Sequence, residues 1–258
     1  MNKTDSIDII LRSLHLPAIK REYKALSKQA ESENWSFTQY LKVLIEIEAD
    51  ERAERRTSRL LKRSCLPQGK NMDSLDQKLM PARVRKQIPV LLDGGFVERG
   101  ENVLAFGLPG RGKSHLLAAI ARELVIQKGY SVLFISTHRL VEQLLRAKRE
   151  LEIEKLLKKL DRFEVIVLDD IGYVQQSREE MEVLFTFLSE RYERRSLMIT
   201  SNLLFSDWDK IFKDPMTTAA AIDRLVHHST ILELDNDSYR AKAAQKRINK
   251  EKSVKETR

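Results

Sequence analysis

Cysteine is almost absent from the sequence, since Cys65 is the single one among 258 residues. An intrachain disulfide is therefore excluded, and nothing in the sequence indicates an oxidising compartment. The N-terminal residues lack the apolar core of a signal peptide, and no apolar run approaches the length of a membrane span. Internal repeats and low-complexity tracts are also missing. We therefore expect a soluble, cytoplasmic protein without a membrane partner.

Charge is plentiful and unbalanced. Hydrophobic residues make up 42% of the chain, enough for a sizeable core, while charged residues reach 33% and must lie mostly on surfaces. Lys and Arg number 46 against 38 Asp and Glu, which gives a formal net charge of +8. A basic surplus favours a polyanionic partner, most often nucleic acid, although many basic proteins bind none.

The strongest motif is a glycine loop at residues 107–114, which reads G-x-x-x-x-G-K-S. An apolar run at 103–106 precedes it, and apolar residues at helical spacing follow it. Strand, glycine loop and helix form the context of a phosphate-binding loop, where backbone N–H groups and the helix dipole face the phosphates. The residues that we expect to bind the nucleotide are Gly107, Leu108, Pro109, Gly110, Arg111, Gly112, Lys113, Ser114 and His115.

Three residues of this loop have distinct expected roles. Lys113 should reach the β- and γ-phosphates of ATP, and the Ser114 hydroxyl should ligate Mg²⁺. Arg111 lies between two glycines, so we expect its side chain to point outward with little effect on phosphate binding. The alternative is a glycine-rich turn that matches by chance, which the flanking strand and helix patterns disfavour.

Two later strands end in polar residues. The apolar run 165–168 ends in Asp169 and Asp170, which is the Walker B pattern. Asp169 should hold Mg²⁺, and Asp170 occupies the position where many related ATPases have a Glu that polarises the attacking water. Because aspartate is one methylene shorter, we expect slow hydrolysis. The run 197–200 is followed by Asn202, which we expect near the γ-phosphate, with an ordinary turn as the alternative.

Strands and helices alternate from residue 102 onward. This order predicts an α/β fold with a five-stranded, mainly parallel sheet covered on both faces, with ligand at the carboxyl ends of the strands. We expect three parts: a helical N-terminal domain at 1–68 for DNA or a partner, an ATPase domain at 69–245 and a basic tail at 246–258. A linker is expected at 65–80, where Pro and Gly lie close together. The predicted strands are 102–106, 131–135, 164–169, 196–200 and 229–234.

Residues 5 to about 64 read as three helices. In the first, Ile7, Ile10, Leu11 and Leu14 fall on one face of a short amphipathic helix. Pro17 suits the first turn of the second helix, and Ser36 suits the N-cap of the third. The predicted buried face of the third helix consists of Phe37, Tyr40, Leu41 and Leu44.

The second half of the third helix is strongly basic. A basic helical face can bind a nucleic-acid backbone, although most such faces are simply solvated. Together with the net charge, the pattern favours DNA contact. The residues that we expect to contact DNA here are Arg52, Arg55, Arg56, Arg59, Lys62 and Arg63, and Lys148 and Arg149 offer a second candidate surface.

Two late arginines are candidates for the catalytic site. An arginine near the γ-phosphate would stabilise negative charge in the transition state, as Arg224 could do from a neighbouring subunit and Arg240 in its own subunit. A surface ion pair is the alternative for each. His227 and His228 are adjacent, and with no carboxylate cluster expected nearby we interpret them as packing or surface residues and not as metal ligands.

A family resemblance rests on these motifs together. The blocks GLPGRGKSH, VIVLDDIGY, ITSN, DPMTTAAAIDRLVHHS and DNDSYR resemble the IstB-like family of insertion-sequence transposition helpers. That family consists of AAA+ ATPases related to DnaC helicase loaders and DnaA initiators. The resemblance covers nearly the whole chain. It implies an AAA+ fold, ATP and Mg²⁺ as cofactors, a sensor role for Asn202, and a homo-oligomeric ring or filament on double-stranded DNA that engages a DDE-type transposase.

The expected function is therefore an ATP-dependent, DNA-bound ATPase that helps a transposase. A replicative helicase loader with the same ATPase core is the nearest alternative. A small-molecule kinase would need an acceptor pocket and a lid, and the basic helix and late arginines argue against it. A structural DNA-binding adaptor with a vestigial nucleotide site is the third alternative.

Overall fold

The computed structural model describes residues 3–172, 177–203, 207–208 and 215–236. The chain divides into two compact units, Met1–Arg59 and Leu60–Arg258, so the division falls within the third helix. None of the helices within these described ranges is both long enough and apolar enough to span a membrane.

The first unit is helical, as the amphipathic patterns predict. Its helices are α1 (Lys3–Ser13), α2 (Pro17–Ser32) and α3 (Phe37–Ser64), the last of which continues into the second unit. Pro17 lies in the first turn of α2, where its missing N–H costs nothing. The Ser36 hydroxyl accepts a hydrogen bond from the Gln39 amide at 3.2 Å, which confirms the predicted N-cap.

The buried face of α3 differs from the predicted one. Leu44 is 5% exposed, whereas Phe37, Leu41 and Ile45 are 95%, 56% and 54% exposed. The prediction that Phe37 and Leu41 are buried was therefore wrong. The apolar face predicted for the first helix is likewise exposed at Ile7, Ile10 and Leu14, the last of which follows α1. Apolar spacing alone does not distinguish two adjacent stripes of one helix, and the buried stripe of α3 is the one that carries Glu48, which bonds to α2.

A buried carboxylate links α3 to α2. Glu48 is 3% exposed, and its Oε2 accepts hydrogen bonds from the amides of Ala18 at 2.8 Å and Ile19 at 3.3 Å. It thereby caps the N-terminus of α2, which has no side-chain cap of its own. Glu48 Oε1 accepts hydrogen bonds from Arg52 at 3.0 Å and Arg55 at 3.3 Å. Burial acts to raise the pKa of Glu48, but these hydrogen bonds outweigh burial and leave the pKa below its ordinary value.

The second unit begins with the end of α3, followed by a short 3₁₀ turn at Gln77–Leu79. Its described helices are α4 (Ala82–Asp93), α5 (Gly95–Glu98), α6 (Lys113–Lys128), α7 (Thr137–Arg149), α8 (Ile153–Leu160), α9 (Arg178–Arg191) and α10 (Pro215–Val226). Its strands are β1 (Asn102–Phe106), β2 (Val132–Ser136), β3 (Val165–Asp169), β4 (Ser196–Ser201) and β5 (Ser229–Glu233). Each strand lies within one residue of its predicted bounds.

The five strands form one parallel sheet in the order β2–β3–β4–β1–β5. Phe106 pairs with Ser201 of β4 and with Glu233 of β5, and Ser136 of β2 pairs with Asp169 of β3. The carboxyl ends of the strands therefore lie at one edge of the sheet, where the glycine loop and both Walker B carboxylates follow. The predicted α/β fold is confirmed.

Both faces of the sheet are buried. Val103 and Ala105 of β1 belong to one apolar cluster together with Leu117, Ile120 and Leu124 of α6. The intervening residues of β1 face the other side, where a second cluster includes residues of α7 and α9, namely Leu104, Phe106, Leu140, Leu144, Leu184 and Leu188. Burial of both faces explains why the strands read as continuous apolar runs.

Residues 65–80 are not a free linker, contrary to expectation. Leu75 and Met80 are buried in the cluster that contains α6, and Leu66 and Met72 pack against it. The guanidinium of Arg122 on α6 donates hydrogen bonds to the carbonyl oxygens of residue 67 at 3.1 Å and residue 70 at 3.4 Å. Pro and Gly do break the helix here, but the irregularly spaced apolar residues still anchor the segment to the core.

The Glu48 contacts predict a pH-dependent contribution to stability. Replacing Glu48 by Gln removes the charge that the amides of α2 and two arginines share, and we expect the first unit to lose about 1–3 kcal/mol. Because the pKa of Glu48 is depressed, the contribution of the carboxylate is present above its unfolded-state pKa and is lost as the pH falls through its folded-state pKa. Hydrogen exchange of the Ala18 and Ile19 amides at several pH values measures this loss.

The matched control is Glu46→Gln, which changes an exposed carboxylate that lies 3.7 Å from Lys42 on the same helix. An exposed pair of this kind contributes little, so exchange should be nearly unchanged. Equal exchange in the two variants would contradict the role assigned to Glu48.

Candidate nucleotide-binding site

The glycine loop has a backbone that requires glycine. Gly107, Gly110 and Gly112 have φ values of 147°, 83° and 94°, which side chains disfavour. A Cβ at Gly107 would also lie 2.4 Å from the carbonyl oxygen of Leu234. Arg111 does not point freely outward as expected, because its guanidinium donates a hydrogen bond of 3.1 Å to that same carbonyl. The glycine loop therefore packs against Leu234, the residue that follows β5.

Lys113 lies inside the loop. Its side chain is 8% exposed, and Nζ donates hydrogen bonds to the carbonyl oxygens of Gly107 at 2.6 Å and Leu108 at 3.2 Å. Helix α6 begins at Lys113, and its N-cap Gly112 has no side-chain cap. The amide groups of the first helical turn have no intrahelical acceptor, so together with the ammonium they form an anion site.

Thr200 of β4 contacts both Walker B residues, one through its carboxylate and the other through its backbone. The Thr200 hydroxyl donates a hydrogen bond of 2.7 Å to Asp169 Oδ1 and accepts one of 2.8 Å from the Asp170 amide. Asp170 has a left-handed φ of 67°, a conformation that aspartate tolerates better than most residues. The amide of Ile171 also donates to the Thr200 carbonyl at 3.0 Å. Sequence reasoning assigned no role to Thr200, because the order of the strands in the sheet, which places β4 beside β3, was not predicted.

Asn202 follows β4 at the same edge of the sheet. Its Oδ1 is buried, and within the ranges that the structure describes it has no hydrogen-bond partner. A Cβ at Gly172 would lie 2.6 Å from this oxygen, so glycine at that position makes room for the amide. Burying an amide oxygen without a hydrogen-bond partner costs free energy, and such an oxygen is typically bound by a ligand or by water. Gly172 is a second site residue that sequence reasoning missed.

A cavity of about 390 Å³ brings the predicted phosphate and metal residues together. Its lining includes oxygen donors suited to Mg²⁺, Ser114 and Asp169, beside the ammonium of Lys113. The loop conformation, the uncapped helix start and these oxygens fit ATP with Mg²⁺. The described residues that line it are Lys70, Ser74, Leu75, Asp76, Gly110, Gly112, Lys113, Ser114, His115, Asp169 and Asp170.

His115 holds part of the predicted linker beside the glycine loop. Its Nε2 lies 3.0 Å from Ser74 Oγ and 3.3 Å from the Asn71 carbonyl oxygen. Burial lowers the pKa of His115 the most, the hydrogen bond with the Asn71 carbonyl opposes this effect, and the positive charge of Lys70 adds a smaller decrease. The imidazole is therefore neutral near pH 7 and holds residues 71–74 beside the helix that binds the phosphates.

Of the two arginines predicted near the γ-phosphate, only Arg224 lies within the described residues. Arg224 of α10 packs on α9, where it donates a 2.5 Å hydrogen bond to Ser189 Oγ and lies 4.7 Å from the centre of the Phe185 ring. It is not among the described residues that line the cavity of its own chain. Arg240 lies outside the described residues.

The predicted DNA-contacting residues are all exposed, but several have partners within the chain. Arg52 and Arg55 pair with Glu48, and Lys148 pairs with Glu182 at 3.1 Å. Arg59 donates a hydrogen bond to the carbonyl oxygen of residue 55, and Arg63 lies over the ring of residue 163. Part of the basic face of α3 therefore stabilises the protein itself.

A carboxylate does lie beside His227 and His228, contrary to expectation. Helix α10 ends at Val226, so the two histidines follow it, and Glu193 approaches them with the ligand-capable atoms of all three within 4.8 Å of one another. All three residues are exposed, and His227 Nδ1 lies 3.2 Å from the Tyr192 hydroxyl. The sequence did not reveal this grouping, because Glu193 and the histidines are distant along the chain.

The Thr200 contacts predict a loss of turnover without a loss of fold. Thr200→Val removes the hydroxyl at similar volume, and we expect Mg²⁺-dependent ATP turnover to fall about 10- to 100-fold, as when other groups that orient a metal-binding carboxylate are removed. Thr200→Ser keeps the hydroxyl and should retain most activity. Steady-state phosphate release measures the effect, with circular dichroism as the fold control. Full activity of a folded Thr200→Val variant would contradict this role.

Comparison with known proteins agrees with this geometry. The family described as "IstB-like ATP binding protein" matches residues 9–247. A "putative insertion sequence ATP-binding protein" of Sinorhizobium fredii is 44% identical, covering 92% of this chain and 80% of the relative. The insertion sequence IS21 putative ATP-binding protein of Pseudomonas aeruginosa is 35% identical, covering 93% of this chain and 90% of the relative.

Solved structures show a related fold. The DnaC helicase loader is similar with a TM-score of 0.53 at 23% identity, covering 59% of this chain and 89% of that one. DnaI gives a TM-score of 0.54 at 21% identity, covering 66% and 95% respectively. The AAA+ fold, the nucleotide site and the family match over 239 residues lead to one conclusion. This chain belongs to the IstB-like ATP binding proteins and is an ATPase of the kind that insertion sequences encode.

Proposed function

We propose that this protein oligomerises on double-stranded DNA when it binds ATP, and that it assists a DDE-type transposase in target selection and strand transfer. The observation that carries the proposal is a cavity that brings together Lys113, Ser114 and Asp169 in a chain whose relatives are named ATP-binding proteins of insertion sequences. The exposed basic residues of α3 and α7 supply a surface for DNA phosphates.

Several residues of the chain have separate roles in ATP hydrolysis. Lys113 binds the β- and γ-phosphates, and Ser114 and Asp169 hold Mg²⁺, which neutralises phosphate charge when bound. Thr200 keeps the Asp169 carboxylate in position. Asp170 and Asn202 orient the attacking water, and Asp170 accepts its proton. The short side chain of Asp170 makes this step slow, so the ATP-bound state lasts long enough to act as a switch.

Arg224 acts across a subunit boundary in this proposal. Arg224 bonds to Ser189 on α9 and is not among the described residues that line the cavity of its own chain. In this proposal its guanidinium therefore contacts the nucleotide of a neighbouring subunit. Arg240 would read the nucleotide within its own subunit. ATP would then hold adjoining subunits together, and hydrolysis would release or reset the assembly.

DNA binding should be largely independent of sequence. Contacts between arginine or lysine and phosphate position a protein without reading bases, and they weaken as salt rises. Arg52 and Arg55 share their charge with the buried Glu48, yet their side chains remain 53% and 47% exposed. The basic face of α3 can therefore contact a duplex while it keeps its ion pairs.

Electron microscopy of the protein on duplex DNA tests the proposal directly. With a non-hydrolysable ATP analogue we expect rings or filaments, and with ADP we expect far fewer. Arg59→Ala with Lys62→Ala should reduce both coating of DNA and the salt dependence of binding, by about one unit of slope for each lost phosphate contact. Lys128→Ala, which removes a lysine 3.6 Å from Asp93, is the matched control. Absence of assembly with either nucleotide would refute the proposal.

Mixing two inactive variants tests the role of Arg224. Arg224→Ala keeps its own nucleotide site but lacks the arginine, whereas Asp170→Asn lacks the water-orienting carboxylate but keeps Arg224. If the arginine acts on the neighbour, mixed oligomers contain restored sites, and we expect phosphate release to recover to roughly a quarter of wild type, as random mixing of equal amounts predicts. No recovery in mixtures that do assemble would place Arg224 in its own site or outside catalysis.

A helicase loader is the second candidate, favoured by the similarity of the fold to DnaC and DnaI. A pull-down that offers the transposase of the same insertion sequence and the replicative helicase in separate reactions distinguishes the two. Retention of the helicase alone would favour the loader.

A further inference from the structure

One wall of the nucleotide cavity comes from neither the glycine loop nor the strand ends. Lys70, Ser74, Leu75 and Asp76 line it, and all four belong to the segment that connects α3 to α4. Leu75 is buried in the core and anchors this wall. A segment with no recognised nucleotide motif therefore borders the site of the phosphates.

The backbone around Lys70 is fixed to the helix that follows the glycine loop. On one side, Arg122 of α6 donates hydrogen bonds to the carbonyl oxygens of Pro67 at 3.1 Å and Lys70 at 3.4 Å. On the other side, His115 contacts Asn71 and Ser74. Because α6 begins at Lys113, the same rigid element carries the phosphate-binding lysine and holds Lys70 in place.

Lys70 is half-buried and lines the same cavity as Lys113 and Asp169. Its Nζ is 5.9 Å from the centre of the Phe134 ring on β2, and Phe134 pairs with Val167 of β3, two residues before Asp169. None of the ion pairs found among the described residues includes Lys70. Its charge is close enough to lower the pKa of His115. Two ammonium groups in one cavity repel each other, but a bound polyphosphate attracts both of them.

We propose that Lys70 is a second phosphate-contacting lysine of this site, and that it favours nucleoside triphosphates over diphosphates. A triphosphate carries more negative charge than a diphosphate, so a second ammonium in the cavity strengthens its binding more. When a triphosphate binds, its attraction to the Lys70 ammonium holds residues 66–76 more firmly against the cavity.

Nucleotide affinity without DNA tests the proposal, so failure of DNA assembly would leave it standing. Lys70→Met has a side chain of similar length without the charge, so it also removes the contact of the ammonium with the Phe134 ring. We expect about 10-fold weaker binding of a fluorescent non-hydrolysable ATP analogue, the loss typical of one charge-assisted contact, and about 3-fold or less for the ADP analogue. Lys70→Arg should retain most of the preference. Lys78→Met, at an exposed lysine of the 3₁₀ turn in the same segment, is the matched control and should behave as wild type.

Hydrogen exchange of residues 66–76 supplies a second readout. The ATP analogue should slow exchange there in wild type and in Lys78→Met, but much less in Lys70→Met at saturating analogue. The same triphosphate preference in Lys70→Met as in wild type would overturn the proposal. Equal losses for both nucleotides together with a lower melting temperature would also overturn it, because that result assigns Lys70 a structural role.

Discussion

The parallel register of β1, β3 and β4 is the constraint on which the nucleotide site depends. Because these strands end at one edge of the sheet, the glycine loop, the Walker B carboxylates and Asn202 lie close together there, although they are distant along the chain. The Thr200 hydroxyl then sets the finer geometry, since it bonds to the Asp169 carboxylate and the Asp170 amide at once. A small shift in the β3–β4 pairing would separate the Asp169 carboxylate and the Asp170 amide from this hydroxyl.

The segment between α3 and α4 joins the site to the rest of the chain. Its apolar residues are buried against α6, and Arg122 and His115 hold its backbone beside the phosphate loop. The segment is therefore part of the wall of the nucleotide cavity and not a flexible linker.

The basic helix α3 has a role in folding as well as an expected role in binding. Glu48 is buried and negatively charged because it caps α2, and burying it requires cations nearby. Arg52 and Arg55 supply them from the same helix, one and two turns further on. Two of the arginines expected at DNA thus also stabilise the first unit, so replacing either is expected to lower its stability.

The sequence by itself determined the α/β fold, the strand bounds to within one residue and the phosphate loop, because periodicity and glycine placement are local signals. It did not determine which stripe of α3 is buried, why residues 65–80 pack, or that Thr200, Gly172 and Lys70 border the site. Those features arise from contacts between residues that are distant along the chain. Only the tertiary structure fixes such contacts, since burial and hydrogen bonding depend on which neighbours the fold brings close.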